Sequence, residues 1–269
     1  MKVFYHADLD GECSAAIVAY AGYTRADFIE VNYDRDFPID HVEDDEDVVI
    51  VDFSTDAFGE LLRRTSNVTW IDHHVSALSK YKDYSNLQGI RDGAKAACEL
   101  TWQYYFHGKV LPRVVELIAD YDTWTFKHGE ITRQVHEGML LYDTRPLSGC
   151  WSRWFVDGVR EIRHDGEIAL KYRERLNAMV AKNAYHIVWE GYDCICCNSP
   201  LYGSNLFDST DGGDILIVYR YGNGKWTVSL YAGHSDVDVS QIAMRYGGGG
   251  HRGAAGFTCD NIDFLSGGR

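Results

Sequence analysis

His6, Asp8 and Asp10 stand at alternate positions in His6-Ala7-Asp8-Leu9-Asp10-Gly11, directly after an apolar run. One imidazole and two carboxylates so close together make a compact nitrogen-and-oxygen ligand set for a divalent cation. The plainer reading is a turn carboxylate and a helix N-cap. Asp52 follows Val48–Val51, and the triplet Asp72-His73-His74 follows Val68-Thr69-Trp70-Ile71. A lone Asp at a strand end caps a turn as readily as it binds metal. Two adjacent histidines after an aspartate say more: one ring can ligate while the other faces substrate or orients a ligand. Asp120 and Asp122 lie at the end of an apolar helical run, where the helix dipole disfavours negative charge. A nearby cation would explain the placement. Far downstream, Gly247-Gly248-Gly249-Gly250-His251-Arg252-Gly253-Ala254-Ala255-Gly256-Phe257 joins a backbone able to approach phosphate to a His-Arg donor pair.

These residues need elements to hold them. Lys2–His6, Val48–Phe53 and Asn67–Ile71 read as strands, and Cys13–Tyr23, Ala94–Phe106 and Leu111–Tyr121 as helices. Strand–helix alternation at this spacing predicts an α/β fold with a doubly wound parallel sheet. Asp8, Asp10, Asp52 and Asp72 then gather at the C-terminal strand edge, where such sheets form their ligand crevice. Four carboxylates there repel one another unless cations neutralise them. The stretch from Gly129 to Gly166 is less regular, and 165–185 reads as a long connecting helix. Beyond it come short β-type runs, a Gly222-Asn223-Gly224 hairpin turn and a helix over 237–246. The predicted division is a catalytic domain over 1–145, a largely helical linker over 146–185, and a smaller α/β domain with a mixed sheet over 186–269.

The 269-residue chain is 45% hydrophobic with a formal net charge of −14. That charge opposes a broad basic face for long duplex nucleic acid, and points instead to short phosphorylated substrates neutralised locally. No apolar run nears the roughly 20 residues of a membrane span, and the N-terminus lacks a signal-peptide pattern; the expectation is a cytoplasmic protein with no membrane partner, monomeric or homodimeric. Cys194, Cys196 and Cys197 lack partner ligands for a zinc site and fit a half-buried strand.

Taken in order, these motifs resemble the DHH phosphoesterase superfamily, with Asp72-His73-His74 as the namesake triplet and GGGGHRGAAGF similar to the glycine motif of its associated C-terminal domain. The resemblance spans about residues 3–257. It implies two manganese ions, with Mg2+ or Co2+ as substitutes. His6, Asp8 and Asp52 would hold one ion, and Asp10, Asp52, His73 and Asp120 the other, with Asp122 as the alternative to Asp120. It makes His74 a phosphate contact and Asp72 the support of both histidines, these two being the catalytic residues, with water between the ions as nucleophile. Gly248, Gly249, Gly250, His251 and Arg252 would bind substrate. Two departures stand out: a single residue separates His6 from Asp8, where several branches have three, and Ser229-Leu230-Tyr231-Ala232 lacks an arginine found in some relatives. The implied substrate is a short oligonucleotide (nanoRNA) or a pAp-type nucleotide. A cyclic dinucleotide, or polyphosphate or pyrophosphate, is the alternative, and a non-catalytic nucleotide-binding protein is the reading from a different class.

Overall fold

A computed structural model describes residues 1–84, 87–200, 206, 212–234, 236–250 and 252–266. The chain divides into two compact units, Met1–Leu170 and Lys171–Arg269.

In the first unit β1 (Lys2–His6) leads into α1 (Leu9–Tyr20), followed by β2 (Asp27–Val31), β3 (Val48–Val51), α2 (Phe58–Arg64), β4 (Val68–Ile71) and α3 (Val75–Lys80). The four strands form a wholly parallel sheet in the order β2-β1-β3-β4. Their side chains alternate between two buried faces, which is why the strands read as continuous apolar runs. Val3, Tyr5, Val49, Val51 and Ile71 pack against α1. Phe4, Val48, Ile50, Val68 and Trp70 pack on the other face against Phe58 and Leu61 of α2 and Ala77 of α3. Helices on both faces make the sheet doubly wound, as the alternation predicts.

α1 starts at Leu9, four residues earlier than its apolar spacing suggests, because Asp8 caps it by accepting from Gly11 N at 2.9 Å. Gly11 is required there: a Cβ would lie 2.2 Å from the His6 carbonyl oxygen. That close crossing brings Asp10 back beside the end of β1.

α4 (Ala97–Tyr105) and α5 (Arg113–Asp122) follow, then α6 (Glu130–Met139), α7 (Cys150–Asp157) and α8 (Arg160–Ala181). The region read as irregular is therefore mostly helical. Residues 146–170, read as linker, belong to the first unit, with the unit boundary inside α8. The reason is burial: Trp151, Trp154, Phe155 and Ile162 share a core with Val114, Leu117 and Val135. Their spacing of three and four was visible, but Gly149, Gly158 and Pro146 broke it into pieces too short to read as helices.

The second unit holds β5 (Tyr185–Trp189), β6 (Tyr192–Asn198), β7 (Ile215–Gly222), β8 (Lys225–Ala232), α9 (Val239–Arg245), β9 (Gly249–Gly250) and β10 (Ala254–Cys259). They form a mixed sheet in the order β5-β6-β7-β8-β10-β9, in which β6 and β7 pair in parallel and the other pairs are antiparallel. The β7–β8 hairpin turns at Asn223-Gly224, both at positive φ (52° and 79°), as a two-residue turn matched to strand twist requires. Cys194 and Cys196 enter one core and Cys197 the opposite one, all as free thiols. No helix among the described residues is long and apolar enough to cross a membrane.

Candidate metal centre

β1, β3 and β4 are neighbours in the sheet, so their C-terminal ends deliver His6, Asp52 and Asp72-His73-His74 side by side. α1 adds Asp8 and Asp10, and the last residue of α5 adds Asp122. His6 Nδ1 lies 2.8 Å from Asp8 Oδ2 and 3.5 Å from Asp52 Oδ2. His73 Nε2 lies 3.3 Å from Asp52 Oδ1, 3.4 Å from Asp122 Oδ2 and 3.8 Å from Asp10 Oδ2. Two donors about 2.1 Å from one ion, at ordinary coordination angles, sit about 3.0–3.4 Å apart. The distances of 3.3 and 3.4 Å fall in that range, and those of 2.8, 3.5 and 3.8 Å lie close to it.

The polar atoms also lack partners. His6 Nδ1, Asp52 Oδ1, Asp72 Oδ2 and Asp122 Oδ2 are buried without a hydrogen bond; His6 Nδ1 is close to Asp8 but not aligned for one. Three of these, His6 Nδ1, Asp52 Oδ1 and Asp122 Oδ2, belong to residues that cluster together, and orphaned buried atoms are costly unless something else binds them. Three overlapping sets have donor atoms within 4.8 Å of one another: His6-Asp8-Asp52, Asp10-His73-Asp122 and Asp52-His73-His74. Asp52 is shared by two of them. Oxygen and imidazole donors of this kind suit Mn2+, Mg2+ or a similar divalent ion. The residues fit the implied cofactor.

Other contacts fix these side chains in place. Asp10 accepts from Ala97 N and Cys98 N, both at 2.8 Å, and so caps α4, whose N-cap Ala96 offers no side-chain oxygen. Asp72, wholly buried, accepts from His73 N at 2.8 Å and His74 N at 3.2 Å, with its Oδ1 2.8 Å from His74 Nδ1. Asp72 thus holds the two histidines and stands outside the three donor sets. Asp52 adopts φ +57°, a left-handed conformation that Asp tolerates better than most side chains.

The preference for Asp120 is corrected by the geometry. Its carboxylate accepts from Thr125 Oγ1 at 2.6 Å, Lys127 N at 2.8 Å, His128 N at 3.1 Å and Thr132 Oγ1. It organises the turn after α5, in which Trp124 and Phe126 both take positive φ (58° and 46°). Asp122, two residues on, is the carboxylate that faces His73. On a helix, residues two apart point in different directions, so the sequence could not choose between them.

The glycine loop also departs from the expected phosphate cradle. Gly247 N and Gly248 N donate to Met244 O and Ala243 O, closing the end of α9. Gly249 and Gly250 pair with Gly256 and Ala255 at the edge of the sheet. Gly248 is needed for packing, since a Cβ would lie 2.0 Å from Gly256 O. His251 lies outside the described residues, and Arg252 is exposed.

Tyr33 escaped the sequence reading. It lies just beyond β2, a strand the apolar pattern did not reveal, and its ring centroid is 5.5 Å from that of His6 and 6.1 Å from that of His74.

Charge crowding shifts the site's proton affinities. Burial, then the charges of Asp8 and Asp10, drive the Asp52 carboxyl well above the usual range. Burial and Asp10 push Asp122 up to about 8. Burial disfavours the His6 imidazolium, but the carboxylates of Asp52 and Asp8 outweigh it and raise His6 to about 10. Burial would raise Asp8 and Asp120, yet His6 in one case and Thr125 and Thr132 in the other hold them down to about 2. Without metal, Asp52, Asp122 and His6 all bind protons more tightly in the folded chain than in the unfolded one. Over roughly pH 4 to 10 the folded state therefore carries extra protons, and stability falls as pH rises. Asp8 and Asp120 act in the opposite sense, only below roughly pH 4. The thermal midpoint of chelated protein is expected to be highest in mildly acidic buffer and to decline towards pH 9. Saturating Mn2+ should remove the decline; a chelated midpoint that climbs from pH 5 to 8 would contradict this account.

Comparison with known proteins agrees with the geometry. Residues 2–121 match the DHH family, N-terminal domain. The chain is 26% identical to uncharacterized protein R106 of Acanthamoeba polyphaga mimivirus, over 97% of its own length and 68% of that protein's. It is 25% identical to oligoribonuclease NrnB of Bacillus subtilis, over 78% of its own length and 57% of NrnB's. Among solved structures, the pGpG-specific phosphodiesterase PggH of Vibrio cholerae shares the fold, with TM-score 0.58 at 15% identity, covering 98% of this chain and 95% of that one. The matched residues 2–121 make up most of the first unit and include the Asp72-His73-His74 triplet at the end of β4, so this part of the chain is similar to the DHH family.

Proposed function

We propose that this chain is a divalent-metal-dependent phosphodiesterase that hydrolyses short linear oligonucleotides or pAp-type small nucleotides. The observation that carries the reading is the convergence of Asp8, Asp10, Asp52 and Asp122 with His6 and His73, leaving Asp52 Oδ1 and Asp122 Oδ2 buried and unpartnered. His6, Asp8 and Asp52 are assigned to one ion; Asp10, His73 and Asp122 to the other, with Asp52 between them. Bound there, a pair of divalent ions lowers the pKa of water and offsets the charge that develops on the phosphoryl oxygens.

The chain's own groups orient the substrate. With His74 Nδ1 engaged by Asp72, Nε2 is assigned to a non-bridging phosphate oxygen. Asp72 fixes that ring and the turn that aims His73. A fixed donor costs no reorganisation as charge builds on the phosphate. The net charge of −14 supports a short substrate, and NrnB, a relative in sequence, is named an oligoribonuclease.

The test is a manganese-supplemented assay over pAp, dinucleotides to pentanucleotides, cyclic dinucleotides, pyrophosphate and polyphosphate. Linear nucleotides are expected to be cleaved and pyrophosphate left intact. Cleavage of pyrophosphate alone would refute the substrate class. A panel left wholly intact would favour a non-catalytic nucleotide-binding protein.

A further inference from the structure

Tyr33 combines two properties that rarely coincide. Its ring is held in place, yet 53% of the residue is exposed. The hydroxyl accepts from Ser54 N at 3.3 Å, tying it to the segment that carries Asp52. One face stacks on Phe53, with centroids 4.4 Å apart and planes at 30°. The ring meets His74 edge-on at 75° and lies beside His6. Phe53 is itself buried, so Tyr33 rests on a firm base. Burying an aromatic ring stabilises a fold; here a polar tether holds the ring at the mouth of the metal centre, partly open to water.

An aromatic face that is already ordered binds a flat ligand without paying to immobilise itself. Every nucleobase has a π-face, so such a platform tolerates any base. We propose that Tyr33 is a stacking platform for the nucleobase attached to the scissile phosphate, and that it makes the site prefer nucleotides over base-free phosphate chains. The assignment rests on the phosphodiesterase reading and adds its selectivity. His74, as the phosphate contact, and Tyr33, as the base contact, are adjacent, as the two ends of one nucleotide require.

Two measurements separate this idea from the reading beneath it. The first is calorimetric binding, in Mn2+, of a dinucleotide with a non-hydrolysable phosphonate linkage, beside an abasic analogue with the same backbone. Tyr33→Ala is expected to weaken binding of the base-bearing analogue about tenfold or more and to leave the abasic one unchanged. Tyr33→Phe keeps the ring and its stack on Phe53 but loses the tether to Ser54 N, so it should bind the base-bearing analogue more weakly than wild type and more tightly than Tyr33→Ala. Its unchanged binding of the abasic analogue controls for folding. The second is turnover of the natural dinucleotide. Tyr33→Ala should raise KM by a similar factor with kcat little changed. Equal affinity of wild type and Tyr33→Ala for the base-bearing analogue overturns the platform, whether or not the dinucleotide is hydrolysed. So does an equal loss for the abasic analogue, or no binding by the wild-type protein. Tight, base-dependent binding without hydrolysis would instead keep the platform and remove the phosphodiesterase.

Discussion

Asp52→Asn is expected to lower metal-dependent phosphodiester hydrolysis by on the order of 10^3-fold or more while raising the thermal stability of the metal-free protein at neutral pH. The first effect follows from position. Asp52 is the carboxylate between the two proposed ion sites, 3.5 Å from His6 and 3.3 Å from His73. An amide there supplies one weak oxygen where two anionic ones are needed. The second effect follows from the energetics of the empty site. Asp52 is 1% exposed and faces the charges of Asp8, Asp10 and Asp122. At neutral pH the metal-free fold must either protonate this carboxyl or bury its charge among like charges, and a neutral amide avoids both costs. Asparagine is the right probe because it matches the shape and tolerates the left-handed φ of +57°. Alanine would add backbone strain and blur the result. Steady-state rates with saturating Mn2+, and melting curves in chelator, read the two effects separately. An Asp52→Asn protein within tenfold of wild-type activity would rule out a shared carboxylate.

The paired replacements Asp122→Asn and Asp120→Ala should separate a ligand from the residue that positions it. Asp122→Asn is expected to leave the fold intact and to cost more than about 10^2-fold in activity, since it removes a proposed direct ligand. Asp120→Ala strips the partners from Thr125, Thr132 and two backbone N–H groups at once. Thr132 is buried, and a buried group left without its partner costs about 1–3 kcal/mol. Thr125 and Lys127 are exposed and can turn to water, so the expected loss is about 2 kcal/mol in denaturant unfolding. The turn that contains the strained Trp124 and Phe126 backbones loses the carboxylate that ties down Thr125, Lys127 and His128, although Phe126 N keeps the Asp120 carbonyl as acceptor. Metal affinity should weaken by about 10–100-fold, as when an outer-shell partner is lost, with much of the activity returning at high Mn2+. The reverse pattern, Asp122→Asn active and Asp120→Ala stable but inactive, would give the ligand role back to Asp120.

Much of this protein was legible along the chain. Three strands ending in His6, Asp52 and Asp72-His73-His74, spaced by helix-length segments, are enough to predict a parallel sheet with carboxylates gathered at one edge. A strand's end is a local event, set by where the apolar run stops, so the sequence determines it. The Asn223-Gly224 turn is local for the same reason.

What the tertiary structure decided is non-local. Whether Asp120 or Asp122 reaches His73 depends on how α5 is rotated against the sheet, and that rotation is set by packing with α1, α4 and α7. Whether Gly247 and Gly248 offer their N–H groups to a ligand depends on the end of α9, which takes both. The linker resolved into core because Trp151 and Trp154 found partners on α5 and α6, some 15 to 40 residues away. Tyr33 acquired its place only when β2 docked beside β1. Residue types and strand ends follow from short-range chemistry; which face a side chain presents, and which donors remain unspent, is settled only when distant segments pack.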